Sequence, residues 1–179
     1  MLDRDGTVNV DVAYLSRPED LVLIPNAAAG LRQMQSLGLG LVIVTNQSGI
    51  ARGFFDESTL QVIHDRLRQI LREEGVELDG VYYCPHHPQD GCGCRKPGTL
   101  LAVQASRELG FDLQQSFVVG DKATDIGLGA RVGATTFLVE TGAGRLYPPE
   151  SEFQPDYVVA DLQAAAEIIK RHCETTQAG

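Results

Sequence analysis

The sequence predicts a doubly wound α/β fold built on one parallel sheet. Three observations predict it. Short runs that are apolar at nearly every position, such as "GLVIVTN" at 40–46, alternate with longer stretches of helical spacing. Such runs belong to strands buried on both faces, as in parallel sheets covered by helices. The polar residues with chemistry to offer recur just beyond those runs, where α/β sheets collect their ligand sites.

Each element follows in order. A first strand runs into "DRDGT" (3–7), with only Met1 and Leu2 before it. Residues 40–46 form a strand ending in Thr45 and Asn46. "DESTLQVIHDRLRQILREEG" (56–75) is a helix: Asp56 caps it, Leu60, Ile63, Leu67, Ile70 and Leu71 make one apolar face, and Gly75 ends it. "GVYYC" (80–84) is a strand leading to Cys84, and "TLLAVQASRELG" (99–110) a helix. "SFVVGD" (116–121) is a strand delivering Gly120 and Asp121. "TDIGLGARVG" (124–133) is a glycine-rich helix. "ATTFLVE" (134–140) and "DYVVA" (156–160) are strands, and "DLQAAAEIIKRH" (161–172) is the closing helix. Residues 174–179 are expected to fray. The proline-rich stretch 146–156 is a surface loop, too short to separate domains, so 1–179 reads as one domain.

Composition narrows the function. A chain of 179 residues, 43% apolar, supports one real core and is not disordered. No apolar run reaches the roughly 20 residues of a spanning helix, and charge begins at Asp3, before any signal-peptide core. A cytoplasmic location with reduced thiols is expected. The formal charge of −9 opposes nucleic-acid backbone, and no basic patch relieves it. A monomer with no membrane partner is expected.

The residues at the strand ends suit phosphoryl transfer. A phosphate monoester needs a nucleophile, a proton donor for the leaving alcohol and cations against the phosphoryl oxygens. One aspartate of "DRD" can attack phosphorus while the other acts as acid and base. Asp121 can help hold Mg²⁺, a hard cation that prefers oxygen. The Thr45 hydroxyl and the Lys96 ammonium suit phosphoryl oxygens. Each is a weak signal alone; their order along the chain makes the case.

A second signature is "YYCPHHPQDGCGCRKPG", with Cys84, His86, Cys92 and Cys94 in a short loop, 84–94. Four such ligands suit a closed, tetrahedral, structural Zn²⁺. The bland readings are a disulfide or incidental thiols, with Cys92 and Cys94 poorly placed to bridge each other. His87 competes with His86 as the fourth ligand. Cys173 reads as a free thiol on the terminal helix.

"DRDGT" (3–7), "VIVTN" (42–46), "RKPG" (95–98) and "GDKATD" (120–125) together resemble the haloacid dehalogenase superfamily of phosphohydrolases. The resemblance implies a capless Rossmann-like domain. It implies that Asp3 forms a phosphoaspartate. Asp5 would serve as acid and base and lend its main-chain carbonyl to Mg²⁺, with Asp3 and Asp121 as side-chain ligands. Thr45 and Lys96 would hold the phosphoryl group. Asp125 would orient the metal's waters or serve only as a helix N-terminal acid. Among the two histidines the resemblance favours His86. In the superfamily several apolar residues lead into the first pair of aspartates, so the first strand here is unusually short or the true start lies upstream.

Within the superfamily, "DRDGTVNVDVAYL" (3–15), "TNQSGIARG" (45–53), "YYCPHHP" (82–88) and "CRKPG" (94–98) resemble the branch that removes the 7-phosphate of heptose 1,7-bisphosphate in lipopolysaccharide precursor synthesis. The resemblance implies a small sugar-phosphate substrate touched by Asp11, Val12, Ala13, Tyr14, Asn46, Gln47, Ser48, Arg52, Arg95 and Lys122. Arg52 also reads as a plain surface arginine. Rival readings are a histidinol-phosphate phosphatase, a polynucleotide 3'-phosphatase and a receiver domain that stores a phosphoryl group. The second carboxylate, Asp5, argues for turnover over storage.

Overall fold

The computed structural model describes residues 1–177. Five parallel strands form its sheet: β1 (Val42–Asn46), β2 (Gly80–Cys84), β3 (Phe117–Gly120), β4 (Thr135–Val139) and β5 (Tyr157–Val159). β1 pairs with β2, and β3 with β4, which pairs with β5. The two groups are joined by the first residues of the chain. Leu2 bridges in parallel to Ile43 on one side and to Val119 on the other. Leu2 N donates to Val42 O at 2.8 Å, and Asp3 N donates to Val119 O at 3.0 Å. The expected short first strand is thus a central strand by position, though it forms only isolated bridges.

The strands are apolar on both sides because both sides are covered. Ile43 packs with Leu31 and Met34 of α1 (Ala27–Ser36), Ile63, Leu67 and Leu71 of α2 (Glu57–Glu73), and Leu162, Ala165 and Ile169 of α5 (Leu162–Gln177). Its neighbours Val42 and Val44 point to the other face, against Leu101, Ala102 and Ala105 of α3 (Leu100–Leu109) and Leu128 of α4 (Ala123–Val132). Period-two alternation therefore hides inside an all-apolar run. Fully burying a leucine such as Leu67 contributes about 1.5–3 kcal/mol, and this face of α2 buries four residues of the apolar stripe. The fifth, Ile70, is only partly buried. Asp56 caps α2 through Thr59 N at 2.8 Å.

Two differences from the sequence reading have physical causes. The helix Ala27–Ser36 is not apparent from the sequence. Its buried positions include Ala27 and Gly30, which dilute the apolar spacing, and its N-cap, Asn26, makes no side-chain cap bond. Gly30 is required there, since a Cβ would lie 2.5 Å from the Leu162 carbonyl. The expected tail at 174–179 is helical as far as Gln177, with Thr175 Oγ1 donating to Arg171 O at 2.8 Å. Residues 178–179 lie outside the described residues. Among the described residues no helix is long and apolar enough to cross a membrane.

Candidate active site

The carboxyl ends of the first segment, β1 and β3 bring the expected residues together. Asp3 is 7% exposed and Lys96 3%, and Lys96 Nζ donates to Asp3 Oδ1 at 2.7 Å. The same ammonium stands 2.7 Å from Asp125 Oδ1. Burial alone would lower the Lys96 pKa, but Asp125 and Asp3 overcome it and hold the pKa above its usual value. Asn46 positions this lysine through its backbone: Lys96 N donates to Asn46 Oδ1 at 2.9 Å, and Asn46 Nδ2 donates to Lys96 O at 3.2 Å.

Asp121 completes an acidic trio. Ligand oxygens of Asp3, Asp121 and Asp125 lie within 4.8 Å of one another. Burial pushes the Asp121 carboxyl up to about 7, against the pull of Lys122 and the Ala143 N–H and with the help of Asp3 and Asp125. Asp121 Oδ1 is buried without a hydrogen-bond partner, and Lys122 Nζ is 3.6 Å away. An orphaned buried carboxylate oxygen facing two further carboxylates is the donor set a hard divalent cation takes. Asp125 is fully placed for a structural role as well, since its Oδ2 accepts from Lys122 N at 3.0 Å at the start of α4. Gly6, at φ +88°, must be glycine: a Cβ there would sit 2.3 Å from Asp121 Oδ2.

Asp5 is held differently. Arg4 Nη2 lies 2.9 and 2.8 Å from its two oxygens, Arg4 Nε 3.1 Å, Asn9 Nδ2 3.0 Å and Gln47 Nε2 2.8 Å. Burial would raise its pKa, yet the Arg4 charge and the bonds from Asn9, Arg4 and Gln47 outweigh burial and keep it below the usual value. Gln47 also donates to Thr45 Oγ1 at 2.8 Å, so the expected substrate-contact glutamine is 5% exposed and engaged inside the site. The sequence alone does not mark Arg4, Asn9 and His64 as parts of the site. His64 falls on the α2 stripe, four residues after Leu60 and three before Leu67, and that polar interruption of an apolar face was the available signal.

The remaining candidates rim the site. Lys122 Nζ is 3.1 Å from Asp11 Oδ2 and 3.3 Å from Asp5 O. Ala13 has φ +67° in a turn where its N–H donates to Asp11 Oδ1 at 2.8 Å. Val12 is exposed, and the Tyr14 ring lies 4.6 Å from that of Phe54 with the Arg52 guanidinium above it. Ser48 is half-buried, its carbonyl accepting from Arg52 N at 3.1 Å. Arg95 has a buried Nη1 without a hydrogen-bond partner.

Beside this site, ligand atoms of Cys84, His86, Cys92 and Cys94 converge within 4.8 Å. The three sulfurs are 3.1–3.5 Å apart, His86 Nδ1 is 3.1 Å from Cys94 Sγ, and none is in a disulfide. Ligands around a tetrahedral ion bound at 2.3 Å would be about 3.8 Å apart, so these donors fit a thiophilic metal after a small expansion. Burial opposes ionisation of Cys92, but the Arg95 N–H, the neighbouring thiols and His86 bring its pKa down to about 7. His87 is not in the cluster; its N–H donates to Asp90 Oδ2 at 2.8 Å.

This fold, with its buried aspartates at one sheet edge, defines a phosphohydrolase of the haloacid dehalogenase type, and a HAD-hydrolase-like family model matches residues 93–165. The D-glycero-β-D-manno-heptose-1,7-bisphosphate 7-phosphatase of Haemophilus influenzae is 40% identical over 178 residues, covering 95% of each chain. That of Escherichia coli K12 is 38% identical, covering 98% of this chain and 95% of its own. The crystal structure of the D,D-heptose 1,7-bisphosphate phosphatase of B. bronchiseptica, complexed with magnesium and phosphate, superposes with TM-score 0.88 at 36% identity, covering 96% and 97% of the two chains. The chain belongs to this family of heptose-bisphosphate phosphatases, within the HAD-like hydrolases.

Proposed function

We propose that this chain removes the 7-phosphate of D-glycero-β-D-manno-heptose 1,7-bisphosphate, supplying nucleotide-heptose synthesis for lipopolysaccharide. The observation that carries the reading is Asp3, a buried carboxylate at the sheet edge with Lys96 Nζ at 2.7 Å and a second carboxylate two residues on. The names of the relatives supply the sugar and its anomer.

In the first half-reaction an Asp3 oxygen bonds to phosphorus as the P–O7 bond breaks, and Asp5 gives its proton to O7. In the second, Asp5 takes a proton from water, the water oxygen bonds to phosphorus, and the phosphorus–Asp3 bond breaks to release phosphate. Lys96 and Thr45 hold the phosphoryl oxygens and offset their charge. Asp3, Asp121 and the Asp5 carbonyl, with Asp125 behind them, would hold Mg²⁺, which would supply positive charge to offset that of the phosphoryl oxygens. Arg52, Arg95 and Lys122 receive the sugar and its distal phosphate, and the buried unpartnered Arg95 Nη1 supports this. Cys84, His86, Cys92 and Cys94 would hold Zn²⁺, which would fix loop 84–94 leading directly into Arg95 and Lys96. On this reading the protein is a cytoplasmic, single-domain monomer that binds neither nucleic acid nor membrane.

The test is phosphate release from both anomers of the bisphosphate, beside histidinol phosphate, with Mg²⁺ and then with EDTA. Fast Mg²⁺-dependent loss of the 7-phosphate from the β anomer is expected. Preference for histidinol phosphate would overturn the substrate assignment, and no turnover of any monoester would overturn the phosphatase reading.

Two predictions concern the metals. A carboxyl whose pKa is raised on folding binds its proton more tightly in the folded chain, so its contribution to stability is lost as pH rises from about 4 through about 7 for Asp121. Mg²⁺ replaces that proton. At 100 times its dissociation constant it adds about 2.7 kcal/mol, or roughly 5–10 °C in thermal midpoint for a chain of this size. The shift should be larger at pH 8 than at pH 5, and differential scanning fluorimetry reads it. Cys92→Ala should lower bound zinc, measured by metal analysis, and cut activity by about tenfold or more through loss of loop order around Lys96. Full activity with a disordered loop would refute that link.

A further inference from the structure

We propose that His64, on α2, is a positioning residue for Asp5 that acts through Arg4. Arg4 is fully buried at 0% exposure and His64 is 3% exposed. The guanidinium spends Nε and Nη2 on Asp5, and Nη2 also reaches Gln47 Oε1 at 3.3 Å. Its remaining nitrogen, Nη1, stands 3.2 Å from His64 Nε2. Arg4 can only donate, so His64 Nε2 accepts, which requires the neutral ring with its proton on Nδ1. Burial first, then Arg4, lowers the His64 pKa to about 3, in keeping with that form.

The tie has a mechanical purpose. Arg4 directly precedes Asp5, so along an extended chain its side chain would leave on the opposite side. Here it folds back beside its neighbour and needs an anchor at its far end. His64 provides one from an element 60 residues away, on a helix fixed in the core by Leu60, Ile63, Leu67 and Leu71. A bidentate guanidinium sets the plane of a carboxylate as well as its charge. Both Asp5 oxygens are occupied, Oδ1 by Arg4 and Asn9 and Oδ2 by Arg4 and Gln47. Its side chain nevertheless keeps 17% exposure. The clamp therefore fixes the carboxylate plane of Asp5, the group that takes a proton from water in the second half-reaction.

The inference rests on the proposed role of Asp5, and leaving-group chemistry separates the two. The probe is an aryl phosphate, whose phenolate departs without a proton. Mixed rapidly with His64→Leu, it should release about one equivalent of phenolate per folded chain. Steady turnover should follow about tenfold more slowly than in the unmodified chain, with KM little changed, the cost of a misoriented group. His64→Gln, which keeps an acceptor, should restore turnover to within about threefold. Unchanged steady turnover in His64→Leu would overturn the tie. So would a parallel fall of initial release and steady rate in both variants, the mark of a general structural role. If the unmodified chain released no phenolate at all, the phosphatase reading would fall and the tie with it.

Discussion

Asp3→Asn should abolish turnover of heptose 1,7-bisphosphate while leaving the fold in place. The amide is close in shape to the carboxylate but is a poor nucleophile, and neither Asp5 nor Asp125 is placed to substitute for it. Asp5 is clamped by Arg4, Asn9 and Gln47, and Asp125 is bound to Lys96 and to the start of α4. Losing a nucleophile typically costs on the order of 10⁴–10⁶ in kcat, so phosphate release should fall to the level of a blank. The fold should survive because the substitution removes repulsion as well as attraction. Lys96 keeps Asp125 as a partner, and Asp3 is one of the charges that raise the Asp121 carboxyl. Without added cation the thermal midpoint should therefore change little. Phosphate release measured beside thermal denaturation checks both halves. A residual activity above about one per cent would remove Asp3 from the role of nucleophile.

Strand identity and site order were legible because both are written in short-range chemistry. "GVYYC" gives β2 residue for residue, and Asp56 caps α2 as its side chain implies. The convergence of Asp3, Thr45 and Asp121 followed from one rule about parallel strands, applied to residues far apart in sequence. The packing partners that orient the acid were not legible. Arg4 looks like a spacer between two aspartates, and nothing local says that it turns back to grip its neighbour. Nothing local ties it to His64 either, because that contact depends on how α2 lies across the sheet. Gln47 illustrates the same limit. The family resemblance implies substrate contact for it; the fold adds that it is buried, with its amide directed to Thr45 and Asp5. Of the two adjacent histidines, only the path of the loop places His86 among the sulfurs and His87 outside.

Lys96→Met should damage stability and catalysis together, and in a cation-dependent way. The ammonium is buried between Asp3 and Asp125, each with an oxygen 2.7 Å from Nζ, and also donates to the Val44 carbonyl. Methionine fills a similar volume without charge or donor. Asp3 and Asp125 would then lose the cation they share and face a third carboxylate, Asp121, which keeps Lys122 Nζ at 3.6 Å. Breaking a buried ion pair from one side costs about 3–5 kcal/mol, because the remaining charges are neither solvated nor paired. The penalty should be greater above pH 7, where Asp121 is ionised, and smaller near pH 5, where Asp121 can hold a proton. Mg²⁺ should recover much of the stability by replacing the missing positive charge. It should not recover the rate, because the phosphoryl oxygens lose a donor that the metal does not replace, a loss of about 10²–10³ in kcat. Thermal midpoints at pH 5 and pH 8, with and without Mg²⁺, together with kcat at saturating Mg²⁺, separate these effects. If Mg²⁺ restored both stability and rate, Lys96 would be a charge balance for the aspartates with no part in holding the phosphoryl group.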